Sequence, residues 1–248
     1  NNNCLSIASA CRNIKRALDK AASGDTIVIG AGTFFENLDI AESLTLQGAG
    51  ANITFIDGSD LDTTIVVAGA GENIVVTLTG VTVQNGRSGG GLGGGFLISG
   101  GTVNLSDLVI ASNVATVGGG GIYSQSKLNL TNVILADNIS QGSQRGGGLY
   151  NLGNATLTNV VINNNSANLG GGIGNAGTLT LSGSTISNNH ANEGGGIYNS
   201  GPGARFTSSN NQYVGNYTTS ASGGAIYNAV IAIDTGSLIT GSIASTGG

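Results

Sequence analysis

The chain is poor in most of what enzymes and nucleic-acid binders are built from. It has no methionine, no tryptophan, one proline and one histidine, and only 8% of its 248 residues are charged, against about 25% in ordinary globular domains. Eight Lys and Arg against 13 acids, a net charge of −5, leave no basic surface for nucleic acid or anionic lipid. No apolar run approaches the roughly 18 residues of a spanning helix, so no membrane insertion is expected. Disorder is excluded from the other side, because 39% of the residues are hydrophobic. The lone proline, with glycines off a three-residue period, excludes collagen. No secretory leader is visible, which carries little weight in a chain without methionine. The two cysteines, Cys4 and Cys11, read as a disulfide clipping the N-terminal segment, implying an oxidising compartment. The alternative is a pair of buried thiols. A metal site there is disfavoured, since the only histidine, His190, is far along the chain.

What the chain has is glycine, 45 residues of it, in a signature repeated six times. The copies are Gly93-Gly94-Gly95-Phe96, Gly119-Gly120-Gly121-Ile122-Tyr123, Gly146-Gly147-Gly148-Leu149-Tyr150-Asn151, Gly170-Gly171-Gly172-Ile173-Gly174-Asn175, Gly194-Gly195-Gly196-Ile197-Tyr198-Asn199 and Gly223-Gly224-Ala225-Ile226-Tyr227-Asn228. The apolar residues Phe96, Ile122, Leu149, Ile173, Ile197 and Ile226 are separated by 26, 27, 24, 24 and 29 positions. Such a period means one supersecondary unit stacked on itself. Each copy adds an alternating strand, such as Lys127-Leu128-Asn129-Leu130 or Thr178-Leu179-Thr180-Leu181, and a third strand running to Asn113, Asn138, Asn165, Asn189 or Asn216.

Three short strands per turn predict a right-handed, three-sheet parallel β-helix, an all-β solenoid. The aligned asparagines are expected to hydrogen-bond to one another and to turn backbone, and the glycines to supply left-handed corners. Ahead of the repeats, Arg12 to Ala22 predicts one capping helix, with Ile14, Ala17, Leu18 and Ala21 on one face. Arg12, Lys15, Arg16 and Lys20, half the basic residues, lie on the other face, and Gly24 stops the helix. Strand-like runs follow at 26–29, 37–40, 44–48, 53–58, 64–67 and 73–78. One domain is expected over 1–248: a cap to 24, first coils over 25–80, the repeats over 81–231, and an end, 232–248, with no amphipathic cap. An uncovered end would expose unpaired strand edges.

The stretch from Ile14 to Gly58, with Gly24-Asp25-Thr26-Ile27, Gly32-Thr33-Phe34 and Leu44-Thr45-Leu46-Gln47-Gly48, resembles the start of pectate-lyase-like β-helix proteins. The later repeats resemble those of polymorphic outer-membrane proteins, marked by Gly-Gly-Ala-Ile and Phe-x-x-Asn: Gly223-Gly224-Ala225-Ile226 matches the first, and Tyr213-Val214-Gly215-Asn216 nearly matches the second. The resemblance implies this fold and a surface location. It implies no membrane anchor, because no autotransporter barrel is read in this chain.

Chemistry is scarce. Between 80 and 233 the only acids are Asp107, Asp137 and Glu193, read as turn acids. The Asp-Asp and Gly-His-Gly constellations of pectin hydrolases are absent, as are the paired aspartates of calcium-dependent lyases. His190 and Glu193 flank one glycine corner ahead of Arg205, a small acid–base or metal cluster or a lone turn histidine. Asp57, Asp60 and Asp62 form a loose calcium-type loop without the distal glutamate, or a solvated turn; calcium is thus the one cofactor expected, if any. None of the glycine triplets leads into Lys-Ser/Thr and a helix, so phosphate loops are excluded. Alternation puts Tyr123, Tyr150, Tyr198 and Tyr227 outside, as a stripe broken at Gly174, able to stack on sugars or to pack against a loop or partner. Outward Asn104, Asn129, Thr156, Thr180 and Thr207 form a second rank, and seven Asn-x-Ser/Thr sequons permit glycosylation. The expectation is a secreted or cell-surface, non-catalytic structural or adhesive module. Its expected partners are copies of itself end to end, other surface proteins, or polysaccharide bound through the Tyr stripe. A divergent lyase or hydrolase is the alternative.

Overall fold

A computed structural model describes residues 4, 10–68, 74–142, 145–220 and 222–245. They form a right-handed parallel β-helix with three long sheets, two of nine strands and one of eight. Each turn visits the sheets in a fixed order. The first holds the alternating strands, among them Thr102–Ser106, Lys127–Thr131, Asn154–Thr158 and Thr178–Ser182. The second holds Val109–Ala111, Ile134–Ala136, Val161–Asn163 and Thr185–Ser187, and the third Phe96–Ile98, Ile122–Ser124, Leu149–Asn151, Ile173–Asn175, Ile197–Asn199 and Ile226–Asn228. Two-residue strands, such as Val114–Ala115 and His190–Ala191, add small sheets between the second and third. They were not legible in the sequence, because two residues carry no periodicity. The predicted strands from 26 to 78 are present within a residue or two, although position 73 lies outside the described residues.

Stacking without slip follows from the period-two pattern, since a one-residue shift would turn every core side chain outward. Leu105, Leu130, Leu157 and Leu181 sit directly on one another in the first sheet. Ile110, Leu135, Ile162 and Ile186 do so in the second. All eight are 0–1% exposed, and each such burial stabilises by about 1.5–3 kcal/mol. Between the first and second sheets the chain turns through Asp107, Asn132, Asn159, Gly183 and Asn210, all at φ 54–59. At the end of the second sheet it turns through Ser112, Asp137, Asn164, Asn188 and Gly215, at φ 54–61. These left-handed corners select Asn, Asp and Gly, so Asp107 and Asp137 are turn acids, one at each corner.

The triple-glycine corner is more demanding. Gly119, Gly146, Gly170 and Gly194 have φ 61–71, and a Cβ on any of them would run into the carbonyl three residues on. A Cβ on the second glycine would meet backbone of the next coil, as at Gly171 against Gly195 O at 2.6 Å. The first two positions are glycine in all six copies, while the third is once alanine, Ala225.

At the N-terminal end the helix is shorter than predicted, Ile14–Leu18. Ile14 is its one buried residue and Asn13 makes no side-chain cap, so little packing holds a longer helix. The carboxylate of Glu36 anchors the first turn, accepting from the Ile14 and Lys15 amides at 2.8 Å each. Cys4 and Cys11 lie paired as a disulfide with Cα atoms 4.9 Å apart.

Candidate functional surfaces

The asparagines that close the second-sheet arc form a ladder inside the solenoid. Asn113, Asn138, Asn165, Asn189 and Asn216 are 0% exposed. Each Nδ2 donates to the Oδ1 of the next, at 3.0, 3.0, 3.0 and 2.9 Å. The same Oδ1 atoms accept from the preceding Asn amides at 3.0–3.1 Å. Each Nδ2 also donates to a strand carbonyl, for instance Asn138 to Ile110 and Asn165 to Leu135, both 2.9 Å. A second ladder, not foreseen, runs through Asn151, Asn175, Asn199 and Asn228 at 2.8, 2.7 and 2.6 Å. Its first three members are 0% exposed. Alternation carried this signal: two positions after the inward Leu149, Ile173 and Ile197, the side chain points inward again.

The tyrosine stripe requires a correction. Its four members lie in one column of the third sheet, but Tyr123 and Tyr198 are only 5% and 8% exposed, and Tyr150 and Tyr227 are half-buried. They cover one another: Tyr123 meets Tyr150 edge-on with centroids 5.5 Å apart, and Tyr198 stacks flat on Tyr227 at 4.8 Å. The break at Gly174 is filled by Arg145. Its guanidinium lies 4.9 Å over the Tyr198 ring and donates through Nη1 to Ser200 O at 2.6 Å. A Cβ at position 174 would sit 2.5 Å from the Arg145 Cβ, so this path exists only because residue 174 is glycine. Gly118 closes over Tyr150, where a Cβ would come within 2.8 Å of Cδ1. Burial pushes the Tyr123 phenol up, opposed by the hydrogen bond from Gln125. The stripe is thus a closed aromatic and cationic seam. A sugar can reach only the exposed parts of Tyr150 and Tyr227.

The acidic loop also differs from expectation. Asp57 is buried at 5% exposure, and its carboxylate accepts from Ser59 N, Gln84 Nε2 and Asn85 Nδ2 at 2.8–2.9 Å. Asp62 accepts from the Thr63 amide at 2.8 Å, and Asp60 occupies a left-handed turn at φ 56. Asp57 is spent on the turn, and among the described residues no three of His, Cys, Asp and Glu gather as a metal site. His190 stacks on Tyr217 at 4.7 Å and places Nδ1 3.4 Å from Ser166 Oγ, so its contacts are with a neighbouring ring and hydroxyl. In the outward rank, Asn129 donates to Asn104 at 2.8 Å. Of the sequons, Asn138 and Asn216 belong to the buried ladder, whereas Asn52, Asn154 and Asn164 are exposed. In the second sheet, Tyr213 stands in the column of Ile186, wholly buried, and burial pushes its phenol up despite a hydrogen bond to Ser208 at 2.9 Å.

Residues 107–125 and 183–200 match the Chlamydia polymorphic membrane protein repeat. Both stretches span the same arc of a turn: a second-sheet strand, a ladder asparagine (Asn113 or Asn189), the glycine corner and a third-sheet strand. No curated protein and no solved structure matches the chain. Within these two arcs the chain is similar to that repeat, and both arcs belong to one parallel β-solenoid.

Proposed function

We propose that this chain is a secreted or surface-displayed, non-catalytic β-helical module, serving as a rigid stalk, adhesin or fibre subunit. The observation that carries the reading is the uninterrupted register. Backbone pairing continues through nine strands, and the Asn113–Asn216 ladder locks successive coils by side chain as well. Such a body resists bending and unwinding because each coil is held by both neighbours. The polymorphic membrane protein repeat supports the surface location. Self-association end to end, or contact with other surface proteins, fits a stalk.

Immunogold electron microscopy of native material tests the proposal. Filaments or a cell-surface layer are expected. A free particle that releases unsaturated product from acidic polysaccharides would overturn it in favour of a lyase. Polysaccharide contact is a second reading, favoured by the exposed parts of Tyr150 and Tyr227. Glycan-array binding that survives Tyr150→Ala and Tyr227→Ala would eliminate that surface.

A further inference from the structure

The outer face of the first sheet is chemically unlike the other two. Its middle rank runs through Thr77, Asn104, Asn129, Thr156, Thr180 and Thr207, one residue per coil and each paired with the next. Two residues further along each strand, a second rank runs in the same register through Thr79, Ser106, Thr131, Thr158, Ser182 and Ser209. All of these residues are exposed or half-buried, and none is charged or aromatic. Neighbours in the middle rank lie 27, 25, 27, 24 and 27 positions apart, yet the pairing never slips, so the unequal lengths are absorbed in the turns and loops outside the sheet. Charge is confined to one margin of the face, where Lys127 and Arg205 stand in line with Thr102, Asn154 and Thr178 at the strand starts. By contrast, the second sheet turns Val109, Ile134 and Val161 outward, and the third is closed by its tyrosine seam.

Strand propensity accounts for the threonines but not for Asn104 and Asn129, a residue type that strands disfavour. Solubility does not account for the face either, since soluble surfaces rely on about 25–35% Lys, Arg, Glu and Asp. What the two ranks share is a neutral hydroxyl or amide at every position. Stacking sets these groups about 4.8 Å apart along the axis and about 6.6 Å apart along the strands. Some are tied from coil to coil: Asn129 Nδ2 donates to Asn104 Oδ1 at 2.8 Å, and Ser182 Oγ to Thr158 Oγ1 at 3.5 Å. A neutral face complements a neutral surface, because neither side has an ion to desolvate. Each hydrogen bond contributes only about 0.5–1.5 kcal/mol net, so binding requires many made together, against a surface that repeats at matching intervals. Water in hexagonal ice repeats along two perpendicular directions of a prism face at intervals comparable with these. The solenoid holds its own grid in place, so little order remains to be imposed on contact.

We propose that the outer face of the first sheet binds ice, the two hydroxyl and amide ranks meeting the lattice as one grid. This goes beyond the reading of the chain as a stalk and does not depend on it. Ice-affinity partition of the full chain tests it: ice is grown slowly from a dilute solution, and protein is measured in the ice and in the remaining liquid. The chain should enter the ice, while a non-binding control protein stays in the liquid. Thr156→Lys with Thr180→Lys places two cations in the middle rank at outward positions, and should reduce uptake to the control level with an unchanged circular dichroism spectrum. Thr131→Lys with Thr158→Lys makes the same test in the second rank should the first pair unfold. Thr185→Lys with Ser187→Lys, outward on the second sheet, should leave uptake as it is. Exclusion of the unaltered chain from ice overturns the proposal, as does a folded first-sheet variant that enters ice as well as the parent. Retention on crystalline cellulose or chitin without uptake into ice also overturns it, in favour of a polysaccharide surface.

Discussion

Asn165→Ala tests the claim that the inner ladder, beyond backbone pairing, holds the coils. The Asn165 side chain makes five hydrogen bonds. Its Oδ1 accepts from Asn138 N and Nδ2, and its Nδ2 donates to Leu135 O, Asn163 O and Asn189 Oδ1, all at 2.9–3.0 Å. The Asn165 amide keeps its own bond to Asn189 in the variant. Five bonds at about 1 kcal/mol net, or one orphaned Asn138 N–H at about 1–3 kcal/mol plus a small cavity, bracket the loss at about 3–6 kcal/mol. Urea unfolding followed by far-UV circular dichroism should show a lower midpoint, and hydrogen exchange at the Asn138 amide should accelerate first. Asn129→Ala, on the outward rank, should stay within about 0.5 kcal/mol. Asn165→Asp adds a sign. A carboxylate oxygen would replace Nδ2 against Leu135 O, Asn163 O and Asn189 Oδ1, so the folded-state pKa rises above the unfolded value of about 3.9. Protonation returns one donor. The variant should therefore be most stable below about pH 4 and lose stability as pH rises from there to the folded pKa. An Asn165→Ala loss no larger than that of Asn129→Ala, or a pH-independent Asn165→Asp, would refute the reasoning.

Gly170→Ala combines φ 67 with a clash against its own coil and should cost more than about 2 kcal/mol, whereas Gly203→Ala, with open space around it, should be neutral or stabilising by up to about 1 kcal/mol; paired thermal melts read the difference. Gly174→Tyr would complete the tyrosine column yet should lower the melting temperature, because Arg145 occupies the space, and Arg145→Ala in the same chain should restore part of the loss. Ser124 precedes Asn151 in the second ladder, where Asn151 Oδ1 is buried without a donor, so Ser124→Asn should extend the ladder and raise the urea midpoint by about 1 kcal/mol. Glu36→Ala removes both acceptors of the first helical turn and should cost about 1 kcal/mol, with faster exchange at Ile14 and Lys15 and no change in the repeats.

The architecture was legible because three independent patterns agree on it: the period between glycine corners, the alternation of strands such as Thr178–Ser182, and Asn, Asp or Gly at nearly every left-handed corner between strands. Consistency of that kind leaves few competing folds. The helix was over-read because its spacing looked amphipathic over 12–22, while only Ile14 is fully buried and Leu18 and Ala21 pack against the core in part. The acidic loop left a calcium site and a turn both open for a related reason. Alternating oxygens describe a turn as well as a calcium site, and in Asp57 the turn amides and two neighbouring amide side chains consume the carboxylate.

The tyrosines show where a solenoid sequence stops informing. Alternation fixes the side of the sheet a residue leaves from, and it placed Tyr123, Tyr150, Tyr198 and Tyr227 in one outward column. What covers that column is set by connections outside the repeat: the approach of Gly118 and the reach of Arg145 across Gly174 to Ser200, 55 residues on. The glycine that looked like a gap in a binding stripe is the opening through which the stripe is clamped. For Asn151, Asn175 and Asn199 the ladder was not foreseen although the same alternation carries it: an inward position in a stacked coil meets its own copy above and below, together with strand carbonyls such as Thr178 O and Arg205 O. Inward chemistry in a repeat is therefore readable one coil at a time. Outward chemistry depends on the connections between strands, and here they convert four aromatic rings from a contact surface into a seam that holds the coils together.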